Sequence, residues 1–181
     1  MQKHTILGTG LRTTFEFTRP NMTQLTLGYS DSEDRLWLIF PDDGTQLWLT
    51  RRMTQVLLQH LAQQMTASCP GAAPTISLKP EVRVALEFEA AHETEHDPVP
   101  QQASKGSGNN GGTGSAATVH VISSITLKMN ASQVRLEANA PGYSRVLGMT
   151  RAEAHRMLGA LARRSKAAGW NIADLPPWLH F

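Results

Sequence analysis

The stretch QLTLGYSDSEDRLWLIFPDDGTQLWLTRRMTQVLLQHLAQ at residues 24–63 aligns without a gap with SITLKMNASQVRLEANAPGYSRVLGMTRAEAHRMLGALAR at residues 124–163. Twelve of the forty aligned positions are identical. They fall on apolar and turn positions, where a shared fold would place them, and therefore predict an internal duplication. The identical pairs are Thr26/Thr126, Leu27/Leu127, Ser32/Ser132, Arg35/Arg135, Leu36/Leu136, Pro41/Pro141, Leu47/Leu147, Thr50/Thr150, Arg51/Arg151, Leu58/Leu158, Leu61/Leu161 and Ala62/Ala162.

Each copy alternates apolar and polar residues before the pattern changes to that of a helix. The alternation indicates three half-buried strands per copy, separated by turn-forming segments such as PDDG and PG. Thr150 and Glu153 have the spacing of a capping box at the start of the second helix, and Thr50 is the matching cap of the first. Gly169 is placed to end the second helix.

A further strand is predicted before each copy, because Phe15-Glu16-Phe17 resembles Leu86-Glu87-Phe88. Val82, Val84, Leu86 and Phe88 alternate with residues that are mostly charged, so we predict a strand over 82–91. The predicted class is α+β: two ββββα units with antiparallel sheets and one helix each, packed as one pseudo-symmetric domain. The predicted divisions are 1–70 for the first repeat, 71–168 for the second, which contains a flexible Gly/Ser-rich insertion at about 93–117, and 169–181 for an aromatic tail.

Composition argues against several classes of protein. The chain has 181 residues with a net charge of +2, which gives no strong electrostatic preference for polyanions. The single Cys69 excludes an internal disulfide and fits a reducing compartment. No segment reaches the ~20 apolar residues that a membrane span needs. We expect a soluble cytoplasmic protein without a membrane partner.

His92-Glu93-Thr94-Glu95-His96 has the HExxH spacing by which zinc peptidases hold their metal. His120 and His155 are the candidates for a third ligand. A strand at 82–91 and Pro98 would both oppose the helix that such a site requires, and the motif runs into the predicted insertion. His92 and His96 are therefore weak metal candidates, and a zinc peptidase is the least favoured of three functional hypotheses. No catalytic residue and no cofactor are predicted.

Two sets of residues are candidates for binding. The alternation places Arg35, Trp37 and Trp48 on the outer face of the first sheet, with Arg135 at the position in the second copy that matches Arg35. Tryptophan and arginine are enriched both in protein interfaces and on platforms that stack single-stranded nucleic acid. A third interpretation is that the two units, or two subunits, cover this face with each other. The second set is the apolar tail, which we expect to pack over its own helix or to dock on a neighbouring subunit or a partner. It contains Trp170, Trp178 and Phe181.

The inferred element order over roughly 4–168 resembles the tandem units of PUR-type and Whirly-type proteins, which bind single-stranded nucleic acid. The resemblance implies two facing ββββα units and a nucleic-acid-binding sheet. Fold alone does not carry function, and no convergent catalytic set is visible. The leading hypothesis is a non-catalytic binding or assembly protein that acts through protein contacts, including self-association into a homo-oligomer. Binding of single-stranded DNA or RNA is the alternative.

Overall fold

A computed structural model describes residues 12–15 (backbone only), 25–40, 43–69, 78–93 and 118–179. This part of the chain forms eight strands, three α-helices and one turn of 3-10 helix, so the predicted α+β class is confirmed. The strands are β1 (Arg12–Phe15), β2 (Leu25–Ser30), β3 (Arg35–Phe40), β4 (Thr45–Thr50), β5 (Val119–Val121), β6 (Ser124–Met129), β7 (Gln133–Ala140) and β8 (Tyr143–Thr150). The helices are α1 (Arg51–Ala67), α2 (Pro80–Glu93), α3 (Arg151–Ala167) and the 3-10 turn Pro177–Leu179.

The strands form two sheets that are joined by a short crossing of the chain. The first sheet has the order β1-β2-β3-β4-β5, with antiparallel neighbours except for the parallel pair β4 and β5. The second is the antiparallel sheet β6-β7-β8. The Ile122 amide donates to Trp48 O at 2.9 Å and the Ser123 amide donates to Asn139 O at 2.8 Å. The backbone therefore leaves one sheet and enters the other between two consecutive residues.

The helices carry apolar stripes that close the core between the two sheets. α1 and α3 pack on each other, and each also contacts the sheet of the other half, α1 at β6 and α3 at β2. Leu57, Leu58 and Leu61 of α1 are buried, as are Met157, Leu158 and Leu161 of α3. This i, i+3, i+4 spacing makes one continuous apolar face along each helix. The core consequently belongs to both halves.

The predicted helix ends are confirmed. The Thr50 side chain accepts from the Met53 amide at 3.2 Å at the start of α1. Thr150 and Glu153 form the complete capping box of α3. Gly169 lies just beyond α3 with φ of 71°, a left-handed conformation that favours glycine at this position.

Residues 82–91 correct the prediction of a strand. They belong to α2, with Val84, Phe88 and Ala91 on its buried face. Pro80 is the first residue of the helix and Glu81 lies in its first turn, where both are favoured. In the described part of the second half, a helix and the short β5 therefore precede β6, and β5 joins the first sheet rather than the second. The order strand–strand–strand–helix occurs twice, at β2–α1 and β6–α3. The ββββα duplication remains a prediction.

Within the described ranges, none of the helices combines the length and apolar character that crossing a membrane would require.

Candidate interaction surfaces and their support

A part-buried ion pair between Arg151 and Glu87 holds α2 against the end of α1 and the start of α3. Glu87 Oε2 accepts from Arg151 Nη2 at 2.7 Å and from Arg151 Nε at 3.2 Å. The same guanidinium donates to Ser68 Oγ at 2.8 Å and to Met65 O at 3.0 Å. Only 9% of the Arg151 side chain is exposed. A buried guanidinium requires this degree of pairing, so the position of α2 is fixed by charge as well as by packing.

His155 and Cys69 complete this polar cluster. His155 Nε2 lies 3.2 Å from Glu87 Oε2, and Cys69 Sγ donates to Glu87 Oε1 at 3.6 Å. Burial lowers the pKa of His155 to about 4, although its hydrogen bond to Glu87 acts in the opposite direction. Burial and the neighbouring Glu87 charge raise the pKa of Cys69. The imidazole is thus neutral and the thiol protonated at neutral pH, which gives no activated nucleophile.

Burial alone would raise the pKa of Glu87, but the hydrogen bonds from Arg151 and His155 outweigh it and hold that pKa below its ordinary value. The carboxylate is therefore ionised and paired. This ion pair connects α2 to α3.

The C-terminal segment packs on the chain's own body. Trp170 is buried, and its Nε1 donates to Asp34 Oδ1 at 2.7 Å. Tyr29 donates to the same oxygen at 2.8 Å, and these two hydrogen bonds lower the pKa of Asp34. Trp178 lies beside α2, with its ring centroid 5.7 Å from that of Phe88. Two of the predicted docking residues thus occupy intramolecular contacts, while Phe181 lies outside the described residues.

The opposite face of α2 is apolar and open. Val82 and Leu86 are 45% and 56% exposed, and their spacing of four residues puts them on one face of the helix. Leu78, which precedes the first residue of the helix, is 39% exposed. The glutamates Glu89 and Glu93, both exposed, lie on the same side toward the end of the helix. A helix that is clamped on one side thus presents an apolar stripe with an acidic end on the other.

The outer face of the first sheet carries a cross-strand tryptophan pair. Gly28, Trp37 and Trp48 are partners in one row across β2, β3 and β4. The Trp37 indole lies over Gly28, where it occupies the space that a Cβ would need, and Trp37 is only 7% exposed. Trp48 is half-buried, and its Nε1 has no hydrogen-bond partner among the described residues. Trp37 is therefore more covered than the alternation suggested.

The arginines of the predicted binding face lie in different sheets. Arg35 is half-buried on β3 and pairs with Thr50 of β4. Arg135 is exposed on β7, between Lys128 of β6 and Gly148 of β8. Strand pairing places Arg35 beside the tryptophan row, and it does not place Arg135 there.

The HExxH motif begins in the last turn of α2. His92 is in that turn, and its Nδ1 lies 2.8 Å from Phe88 O. His96 lies outside the described residues. Of the candidate third ligands, His120 stacks on Tyr143 at 4.2 Å between ring centroids, and His155 faces Glu87. The described ranges contain no group of three histidine, cysteine or acidic side chains that is suited to a metal ion.

The sequence patterns missed the polar cluster of Glu87, Arg151 and His155. Glu87, Arg151 and His155 are far apart in sequence, and an incorrect strand at 82–91 hid the side of α2 that faces α3. One available signal was Pro80 followed by Glu81, which is typical of a helix start.

The chain matches no protein-family model, no curated protein and no solved structure. The resemblance to PUR-type and Whirly-type proteins therefore stays a prediction based on element order.

Proposed function

We propose that this protein is a non-catalytic binding or assembly protein that acts through protein–protein contacts on the open face of α2. The observation that carries the proposal is the exposed pair Val82 and Leu86 on a helix held by the Glu87–Arg151 pair, with the exposed Leu78 just before that helix. Contiguous apolar surface on a rigid element is typical of interaction sites.

The chemistry of the stripe indicates its partner. Glu89 and Glu93 place negative charge beside the apolar residues. An amphipathic helix could pack its own apolar side chains against these apolar residues, and its flanking lysine or arginine side chains could pair with the glutamates. We infer a basic amphipathic helix of another protein as the occupant of this face.

A photo-crosslinking amino acid at position 86, introduced in the protein's own cell, tests this proposal. The matched control is the same amino acid at Val56, which is 38% exposed on α1. We expect one dominant adduct at position 86 that is absent at position 56. The purified partner should then bind Leu86→Glu roughly tenfold more weakly than wild type, since anchor residues dominate interface energies. Equal crosslinking at both positions, or unchanged binding by Leu86→Glu, would show that the α2 face is not the binding site.

The tryptophan pair supports single-stranded nucleic-acid binding as a second candidate. Trp37 and Trp48 are cross-strand partners, and Arg35 lies on the same strand as Trp37. Base stacking on such a row requires at least one accessible indole, which only Trp48 offers here. Unlabelled oligonucleotides should quench tryptophan fluorescence in wild type but not in Trp48→Ala, and the quenching should weaken with salt. The absence of salt-sensitive quenching would reject this candidate.

We further propose that the two halves are ββββα copies and that the protein works in the cytoplasm. The copies are supported by β2–α1 and β6–α3, whose helices begin after Thr50 and Thr150 respectively. The compartment is supported by the unpaired thiol of Cys69, the single cysteine of the chain.

A further inference from the structure

The outer edge of β5 is a second surface with specific chemistry. The Gln46 amide donates to Thr118 O, and the Ile122 amide donates to Trp48 O, both at 2.9 Å. Because successive residues of a strand direct their backbone groups to opposite edges, Thr118, His120 and Ile122 face β4. Val119 and Val121 consequently direct their N–H and C=O groups away from the sheet. No strand of the described chain pairs with that edge.

The side chains on this edge are apolar. Val119 and Val121 are 52% and 40% exposed, and β5 contains no charged side chain or proline. His120 turns to the other face, where it stacks on Tyr143. Proteins prevent unwanted pairing at a sheet edge with charged residues, prolines, β-bulges or very short edge strands. Of these four features, β5 has only its short length.

We propose that this edge binds a second copy of the chain, through antiparallel pairing of β5 with its own equivalent. A two-fold axis at His120 places Val119 opposite Val121 of the second copy. Each such pair exchanges both of its N–H···O bonds, so the groups left unpaired by β4 are satisfied on both copies. The four valines then form one apolar cluster on the outer face, next to Trp48, the β4 partner of Val121.

A second copy suits this edge better than a flexible peptide does. Within the described strand, two residues direct backbone groups outward, which is little for a peptide that must become ordered on binding. A second β5 is already held straight by its own β4, so its pairing carries no such cost. The result would be a continuous ten-stranded sheet built from two five-stranded ones.

Charge exchange at the paired positions tests whether this edge is the dimer surface. We expect wild type to sediment as a dimer of twice 19.8 kDa at micromolar concentration. The variants V119K/V121K and V119E/V121E should each self-associate at least about tenfold more weakly than wild type, because like charges then oppose each other. An equimolar mixture should recover the dimer, since each lysine then faces a glutamate. The control V56K/V146K changes two other exposed valines and should remain dimeric.

Amide exchange provides a second measurement. Exchange at Val119 and Val121 should slow as the wild-type concentration rises, and it should not do so in V119K/V121K. A monomeric wild type at all concentrations would overturn the proposal, as would a dimer that both charged chains retain. Binding of an extended peptide to a monomeric wild type would assign the edge to another protein. The edge is separate from α2, so crosslinking at position 86 in V119K/V121K reports on the proposed function independently.

Discussion

Protonation of His155 should make the stability of the fold depend on pH. The imidazole is 1% exposed and lies between α2 and α3. Burial is the main reason that its pKa falls from 6.5 to about 4. The folded protein therefore resists taking up a proton that the unfolded chain accepts readily.

The magnitude follows from these two pKa values. Above pH 6.5 both states hold His155 neutral, so its contribution to stability is fully present. As the pH falls through 6.5 toward 4, only the unfolded chain binds the proton, and the free energy of unfolding decreases. Proton linkage gives a loss of about 2 kcal/mol between pH 7 and pH 5. The Glu87 pKa lies below its ordinary value of 4.5, so that group contributes little in this interval.

Urea titrations of wild type and His155→Gln at pH 7 and pH 5 measure the effect. Glutamine preserves a donor for Glu87 and does not titrate, and Gln55 already occupies the matching position of α1. Wild type should lose about 2 kcal/mol more than the variant on acidification. His60→Gln, which changes an exposed histidine, should behave like wild type. Equal losses in wild type and His155→Gln would refute a depressed pKa at His155.

Two further substitutions probe the supports of the candidate surfaces by urea unfolding. Glu87→Gln leaves the Arg151 guanidinium without its carboxylate and should lower the free energy of unfolding by about 3 kcal/mol. The control Glu89→Gln, on the exposed face, should lower it by less than about 0.5 kcal/mol. Similar losses in the two variants would mean that the ion pair does not hold α2. Gly28→Ala places a methyl group in the space of the overlying indole and should cost about 1–3 kcal/mol, while Gly148→Ala enters open space. If Gly28→Ala and Gly148→Ala are equally stable, the Trp37 indole does not pack over Gly28.

The strands and helices of the two aligned stretches were predictable because local signals agreed there. Alternation marks β3 and β7, and threonine caps mark the starts of α1 and α3. Each of these features depends on residues within a few positions of one another. Sequence patterns represent such short-range preferences well.

The failure at α2 has a geometric cause. A helix turns about 100° per residue, so residues two apart lie on nearly opposite faces and residues four apart share a face. A strand would place Val82, Val84, Leu86 and Phe88 on one face, whereas α2 exposes Val82 and Leu86 and buries Val84 and Phe88. The apolar residues recur at every second position of the sequence in either case. Four alternating positions alone therefore cannot distinguish the two structures. The decisive contact, Glu87 with Arg151, joins residues that are distant in sequence.

The aligned arginines at the starts of α1 and α3 show where the halves diverge in role. Arg51 is exposed, whereas Arg151 is buried against Glu87. The difference arises because α2 packs on α3 beside Arg151. Both α2 and β5 lie between the two aligned stretches, in residues 64–123, and each supplies one of the proposed surfaces. The aligned stretches thus build the shared core, while residues 64–123, which have no counterpart in the alignment, supply the surfaces that would determine which partner binds.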